Sequence, residues 1–311
     1  MHICFDIRKV PLDRLDKPVV TLGTFDGVHM GHKALLQKAV TQAQELGKKS
    51  VVVTYEPHPQ TVVSQQNAPL LLTTLEEKIP LIEQLGIDEL IIINFDQEFA
   101  NLTARNFIDE ILVDRLNPGH VMVGYNHAFG KNREGKVENL KEASQIHNFG
   151  LEVVEPVNAR GEVISSSKIR RELSLGHFTR ACQMLGHAYP IFGTVIYGSG
   201  LGKTLGYPTA NLSAPEGKLL PKAGVYSGRV HIESQFYYSM VYIGTKPTLE
   251  QKGTFVEVHI FNLEGDLYDQ KIGLYLEEYV REDRKFESLE DLKTQIQRDE
   301  ILVKQYYNLK S

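Results

Sequence analysis

Two textures of hydrophobic and polar positions meet near Gly186 in this chain. Before it, short β-branched apolar runs alternate with segments whose apolar residues recur at steps of three and four, the spacing of one helix face. PVVTL (residues 18–22) reads as a buried strand, and Leu35, Leu36, Ala39, Val40, Ala43 and Leu46 mark a helix that Gly47 stops in the left-handed conformation. SVVVTYEPHP (50–59) is a strand running into a proline-punctuated loop. Thr74 and Glu77 form a capping box for a helix that ends at Gly86, with Pro80 expected to kink it. ELIIINF (89–95) is a strand buried on both faces, Thr103 caps the next helix, and HVMVGY (120–125) and LEVVEPV (151–157) are further strands. A polar helix over 139–147 and helices after Ser165 and over 177–185 complete a strictly alternating series. Such alternation predicts a doubly wound α/β parallel sheet.

From Tyr189 onward the segments are short, rich in Tyr, Val and Thr, and broken by Gly, Pro or Asn every 8 to 12 residues. That pattern predicts an antiparallel barrel or sandwich, and only residues 289–307 return to helical spacing. A length of 311 residues fits two domains, here 1–186 and 187–311. The net charge of −5 excludes a strongly basic nucleic-acid surface. Cys4 and Cys182 form no CxxC, so neither a zinc knuckle nor a disulfide framework is expected. No apolar run approaches 18 residues and no signal-peptide core precedes the first strand, so a cytoplasmic protein without a membrane partner is expected.

Chemistry concentrates first in GTFDGVHMGH, ten residues at a strand-to-helix junction. A helix starting near Gly31 and His32 points its unpaired amides and the positive end of its dipole into the preceding loop, where an anion is stabilised. His29 and His32 add imidazole donors, and Gly31 removes the Cβ that would keep a phosphate from the backbone. Gly23, Phe25 and Asp26 complete the cluster. The alternative is a surface turn whose histidines cap the helix or face solvent, and it fits a lone His or a lone glycine-rich turn better than this dense cluster. In an open α/β sheet ligands bind beyond strand carboxyl ends, and the loops at 23–32, 56–59 and 125–130 all follow strands.

Two further stretches carry candidate chemistry. ISSSKIRREL (164–173) offers Ser166 and Ser167 hydroxyls with Lys168 and Arg170 charges at a helix start, readable either as a phosphate site or as a capped, solvated basic helix. GSGLGKTLGYPTANL (198–212) fails as a P-loop, because Tyr197 stands where the first glycine belongs and Gly206 and Pro208 interrupt the following helix. What remains is a glycine-rich flap with Gly202, Lys203 and Gly206, followed by Thr209 and Asn211, hard oxygen donors suited to Mg²⁺. In VEVHIF (256–261) alternation sets Val256, Val258 and Ile260 on one face and Glu257, His259 and Phe261 on the other. A carboxylate on an inward or cleft face is costly unless paired or functional, whereas on an open strand it is ordinary.

GTFDGVHMGH resembles the nucleotide-binding signature of the HxGH nucleotidyltransferases, in the form carried by the prokaryotic bifunctional riboflavin kinase/FAD synthetase family. ISSSKIR resembles that family's motif over the ATP phosphates, with Ser167 in place of a commoner Thr. GxxxGxPTAN resembles its riboflavin kinase ATP/Mg signature, and LPKAGVYSG (220–228), YIGTKPTL (242–249) and VEVHIF follow in the family's order. The resemblance spans nearly the whole chain. It implies phosphorylation of riboflavin to FMN in the second domain and adenylylation of FMN to FAD in the first, with ATP and Mg²⁺ in two separate sites. It assigns His29 and His32 to transfer, Glu257 to the base of the kinase, and Asn126 and Phe129 to the flavin end of the first site. Where relatives often carry an Asp and an aromatic, this chain has Asn126 and His127, and Glu56 stands where an Asp is common. The rival expectations are one retained activity or a non-catalytic flavin-binding regulator. A monomer or weak homo-oligomer acting on small molecules is expected.

Overall fold

The computed structural model describes residues 1–7, 15–159, 161–198, 200–248 and 251–309. Ser199 of the glycine-rich flap and Leu249, the last residue of YIGTKPTL, lie outside them. Packing divides the chain into two units, Met1–Leu70 with Lys78–Ser165, and Leu71–Glu77 with Ser166–Ser311.

The first unit holds β1 (His2–Cys4), β2 (Val19–Leu22), α1 (Met30–Leu46), β3 (Ser50–Glu56), most of α2 (Leu75–Glu83), β4 (Glu89–Asn94), α3 (Ala104–Asn106, continuing as a π-helix over Phe107–Val113), β5 (His120–Gly124), α4 (Val137–His147) and β6 (Gly150–Val154). The six strands form one sheet in the order β1-β4-β3-β2-β5-β6, parallel at every pairing. The doubly wound parallel sheet is therefore as the alternation predicts. Val20, Leu22, Val51, Val53, Ile91, Ile93, Val121 and Val123 share one core with Phe107, Ile108, Leu112 and Leu140. The intervening residues point to the other face by the pleat, and α1 brings buried Leu35, Leu36, Ala39 and Ala43 against β2 and β3.

Local signals act as read. Gly47 closes α1 with φ of 62°, and Thr103 accepts from the Asn106 N–H at 3.1 Å. β6 is shorter than its apolar run, ending at Val154 before Pro156.

The second unit holds α5 (Ser166–Leu175), α6 (Phe178–Leu185), β7 (Tyr189–Ile196), α7 (Leu201–Leu205), β8 (Ala210–Ser213), β9 (Gly224–Ile232), β10 (Gln235–Thr248), β11 (Gln251–Ile260), β12 (Lys271–Glu282) and α8 (Leu289–Tyr306). Its strands close an antiparallel barrel in the order β8-β11-β10-β9-β12-β7. Val195, Leu212, Val230, Val241, Ile243, Val256, Val258, Leu274 and Leu276 are buried in its strands. On the outer face Val225, Met240 and Phe261 pack with Val303 of α8. A chelating pair from Arg281 to Asp299, with contacts of 2.7 to 2.9 Å, ties the same helix to β12. Phe178 of α6 meets Tyr226 edge to face at 5.0 Å, so the packing of this unit begins at Ser166, ahead of the change of texture near Gly186.

Residues 71–77 add a parallel bridge to this unit, with Leu71 paired to Lys218. Their anchor is an ion pair in which neither side chain meets solvent: the Lys218 ammonium donates to Glu77 Oε2 at 2.7 Å and to the Leu72 carbonyl at 2.7 Å. Glu77 also accepts from the Thr74 N–H at 2.8 Å, the capping box read from sequence, and from the Phe192 N–H at 2.9 Å. Breaking a buried pair strands a charge in a medium that solvates it poorly. Glu77→Gln is expected to lower the stability of the second unit by about 3–5 kcal/mol. Adding Lys218→Met recovers at least half of that loss, as checked by urea unfolding followed by near-ultraviolet circular dichroism.

Candidate active sites

In the first unit β2 lies between β3 and β5, the point where strand order switches direction, and the loop leaving it runs directly into α1. Phe25, Gly27 and Val28 in this loop have φ of 48°, 83° and 37°. Left-handed backbone is strained for a β-branched valine, so the turn persists only because its surroundings hold it. Phe25, Asp26 and Val28 are almost fully buried. A Cβ on Gly23 would lie 3.0 Å from the Phe25 ring, which is why the strand leaves the sheet at a glycine.

His29 is the N-cap of α1, one residue earlier than the spacing suggests, and its Nδ1 accepts from the His32 N–H at 3.3 Å. A neutral His29 therefore carries its proton on Nε2 as a donor. The His29 and His32 rings stack at 3.6 Å and 15°, and Phe25 meets His32 edge to face at 5.3 Å. Gly31 sits under this stack, where a Cβ would come within 3.1 Å of the His29 ring. Burial, then the charges of His29 and Lys78, hold the His32 imidazole well below its ordinary value, so it is neutral at pH 7. Among the described residues its buried Nδ1 has no hydrogen-bond partner, as expected of a group reserved for a ligand. Gly23, Phe25, Asp26, His29, Gly31 and His32 thus converge on one helix N-terminus.

Sequence reasoning missed Lys78. It is 4% exposed, and its ammonium donates to the Thr24 carbonyl at 2.7 Å and lies 3.4 Å from Thr54 Oγ1. Burial lowers its pKa while Asp26 and Glu56 oppose that shift. Of the flavin-end candidates, Asn126 is exposed, whereas Phe129 is in the core, 5.1 Å from Phe107 and 5.7 Å from His127. Burial, then the charge of Arg133, pushes His127 down to about 4.

In the second unit Ser166 opens α5, with Ser167 exposed and Lys168 and Arg170 half-buried in its first turns. The flap folds as the single turn α7, bounded by Gly200 and Gly206 at φ of 74° and 87°. It presses on the oxygen donors: a Cβ on Gly202 would lie 3.1 Å from Thr209 Oγ1, and one on Gly198 would lie 2.0 Å from the Asn211 amide. Lys203 is exposed on α7.

Register supplies the remaining piece. Asn211 of β8 stands opposite Glu257 of β11, which stands opposite Tyr242 of β10. Directly opposed residues share a sheet face, so these three side chains form a row on the outside of the barrel, while Val256 and Val258 fill the inside. Glu257 is therefore on the outer face of the barrel and not inward. The Tyr242 hydroxyl donates to Asp283 at 2.9 Å, and burial, this bond and the Glu257 charge all raise its pKa. Among the described residues no cluster of three His, Cys, Asp or Glu could hold a metal. The hard oxygens of Thr209 and Asn211 fit Mg²⁺ held mainly by phosphates and water.

The depressed histidines set a pH dependence. An unfolded His127 takes up a proton near pH 6.5, the folded one only near pH 4. Between those values the unfolded state binds more protons, so stability falls as pH drops through the window, and His32 adds a loss of the same sign. His127→Gln is expected to lessen the loss between pH 6.5 and 4.5 by up to about 3 kcal/mol, measured by urea unfolding at both values.

A family model described as FAD synthetase matches residues 13–168, and one described as riboflavin kinase matches residues 185–307. A bifunctional riboflavin kinase/FMN adenylyltransferase of Escherichia coli K12 is 35% identical over 94% of this chain and 93% of its own. Those of Listeria monocytogenes and Pseudomonas fluorescens are 34% and 36% identical, covering 91% and 90% of this chain and 90% of each relative. A crystal structure of a Streptococcus pneumoniae protein described as macrolide-efflux superposes with a TM-score of 0.85 at 28% identity, over 97% of this chain and 98% of the other. Among the described residues here, no helix is long and apolar enough to cross a membrane. With both family models matched in order and relatives similar along nearly their full length, the chain belongs to the bifunctional riboflavin kinase/FMN adenylyltransferase family.

Proposed function

We propose that this chain converts riboflavin to FMN with its barrel unit and FMN to FAD with its parallel-sheet unit, using ATP in both steps. The observation that carries the reading is the presence of two chemically different constellations. One has donors and no obvious base; the other has a carboxylate in register with oxygen donors.

Riboflavin phosphorylation makes a hydroxyl attack the γ-phosphorus of ATP. A hydroxyl is a poor nucleophile at neutral pH, so a base within reach is useful. Glu257 is suited to take that proton, beside Asn211. Lys203 on the flap supplies positive charge to the phosphates. Thr209 and Asn211 would hold Mg²⁺, which when bound offsets phosphate charge. Gly198 and Gly202 let the flap backbone lie directly on Asn211 and Thr209.

FAD formation starts from a nucleophile that is already an anion. The FMN phosphate oxygen attacks the α-phosphorus and pyrophosphate leaves, so the demand is for donors and not for a base. The α1 amides, the His29 Nε2–H and the neutral His32 ring meet that demand where charge develops. Ser166, Ser167, Lys168 and Arg170, which open α5, carry the hydroxyls and positive charge that the family resemblance assigns to ATP phosphates, and Asn126 is assigned to the flavin, on a loop that Phe129 anchors in the core. A cytoplasmic monomer or weak homo-oligomer is the state we assign to it.

Incubation of the protein with riboflavin, ATP and Mg²⁺, followed by chromatography, is expected to show FMN rising and then yielding to FAD. FMN without FAD would restrict the activity to the barrel, and no product would remove the enzymatic reading. His32→Ala is expected to reduce FAD formation at least 100-fold and leave FMN formation within about twofold. Glu257→Gln is expected to slow FMN formation by about 10²–10⁴ and spare FAD formation from added FMN.

A further inference from the structure

Most of the first unit's candidate residues lie in the β2–α1 loop or the first turn of α1; Lys78 reaches that loop from α2. Its ammonium is buried among polar groups of two elements, the β2–α1 loop and β3. It donates to the Thr24 carbonyl at 2.7 Å, lies 3.4 Å from Thr54 Oγ1 on β3, and feels the charges of Asp26 in the loop and Glu56 at the end of β3. Thr54 Oγ1 donates to the same Thr24 carbonyl at 3.2 Å. One carbonyl therefore collects two donors, immediately before the residues with φ of 48°, 83° and 37°.

A buried lysine is expensive, because burial removes the water that stabilises its charge. A stability role alone is poorly served by such a group, since an apolar side chain of similar length would fill the same space without that penalty. What an apolar side chain lacks is a donor that fixes a carbonyl of a strained turn. Fixing Thr24 sets the path of the turn, and the path sets where His29 caps α1 and where the His32 ring stacks. The Lys78 charge also helps to hold His32 neutral.

We propose that Lys78 is a positioning residue for adenylyl transfer, acting through the Thr24 carbonyl to hold the strained turn that presents His29 and His32. The proposal rests on the adenylyltransferase reading of this unit. Its test compares wild type and Lys78→Met as full-length proteins, measuring FMN adenylylation and riboflavin phosphorylation separately, with the His32 imidazole followed by NMR. The expected result is a fall of at least tenfold in adenylylation kcat, an ATP KM within about threefold, riboflavin phosphorylation within twofold, and His32 titrating at higher pH than in wild type. Adenylylation kcat within twofold of wild type, or equal loss of both activities, would overturn it. If wild type itself makes no FAD, the adenylyltransferase reading fails, and an unmoved His32 titration would then count against Lys78 independently. Should Lys78→Met not fold, Thr54→Val, which removes the second donor to Thr24, is expected to lower adenylylation kcat twofold to fivefold, and an unchanged kcat there would overturn the proposal.

Discussion

The first unit is organised by where β2 must end. All four of its residues are buried, and it is flanked by β3 and β5. The chain therefore cannot continue as strand, and it has only residues 23–29 in which to turn into α1. A turn this tight takes positive φ at three positions, each a cost of about 1–3 kcal/mol where the residue is not glycine. Burial of the Phe25 ring and the Val28 side chain, with the Lys78 ammonium on the Thr24 carbonyl, offsets that strain. The reward is geometric: the helix amides, the His29 cap and the stacked His32 ring all open on one point.

The second unit solves a different problem. A small closed barrel has no room inside for substrate, because Val195, Leu212, Val241, Val256, Val258 and Leu274 fill it. The candidate row lies on the outer surface, and antiparallel register is what assembles it there. Asn211, Glu257 and Tyr242 come from three strands far apart in sequence, yet opposition across the ladder puts them in one row. The flap then reaches that row only because residues 198 and 202 lack side chains.

Much of this was legible because the deciding interactions are local. Gly47, Thr103 and the Thr74–Glu77 box act within four residues of where they stand, and the GTFDGVHMGH cluster folds on itself. What was not legible depends on distant partners. The three-residue strand β1 exists only through its pairing with β4, since HIC carries no alternation of its own. Glu77 reads as a capping residue, and nothing near it announces Lys218, 141 positions later. Lys78 looks like an ordinary helix-surface lysine until β3 and the β2–α1 loop close over it. The outward placement of Glu257 required knowing that the sheet closes on itself, which alternation alone does not specify.

The long separation between Glu77 and Lys218 has a consequence for biosynthesis. At a typical elongation rate of about 5–20 residues per second, the ribosome delivers Lys218 roughly 7–28 s after Glu77. During that interval residues 71–77 lack their partners at 217–219, and Leu72, wholly buried at the end, has only part of its packing. The nascent chain must carry an open apolar segment with a charged residue through the synthesis of its remaining strands, which makes this stretch a natural point of contact for a chaperone and a vulnerable one for a protease.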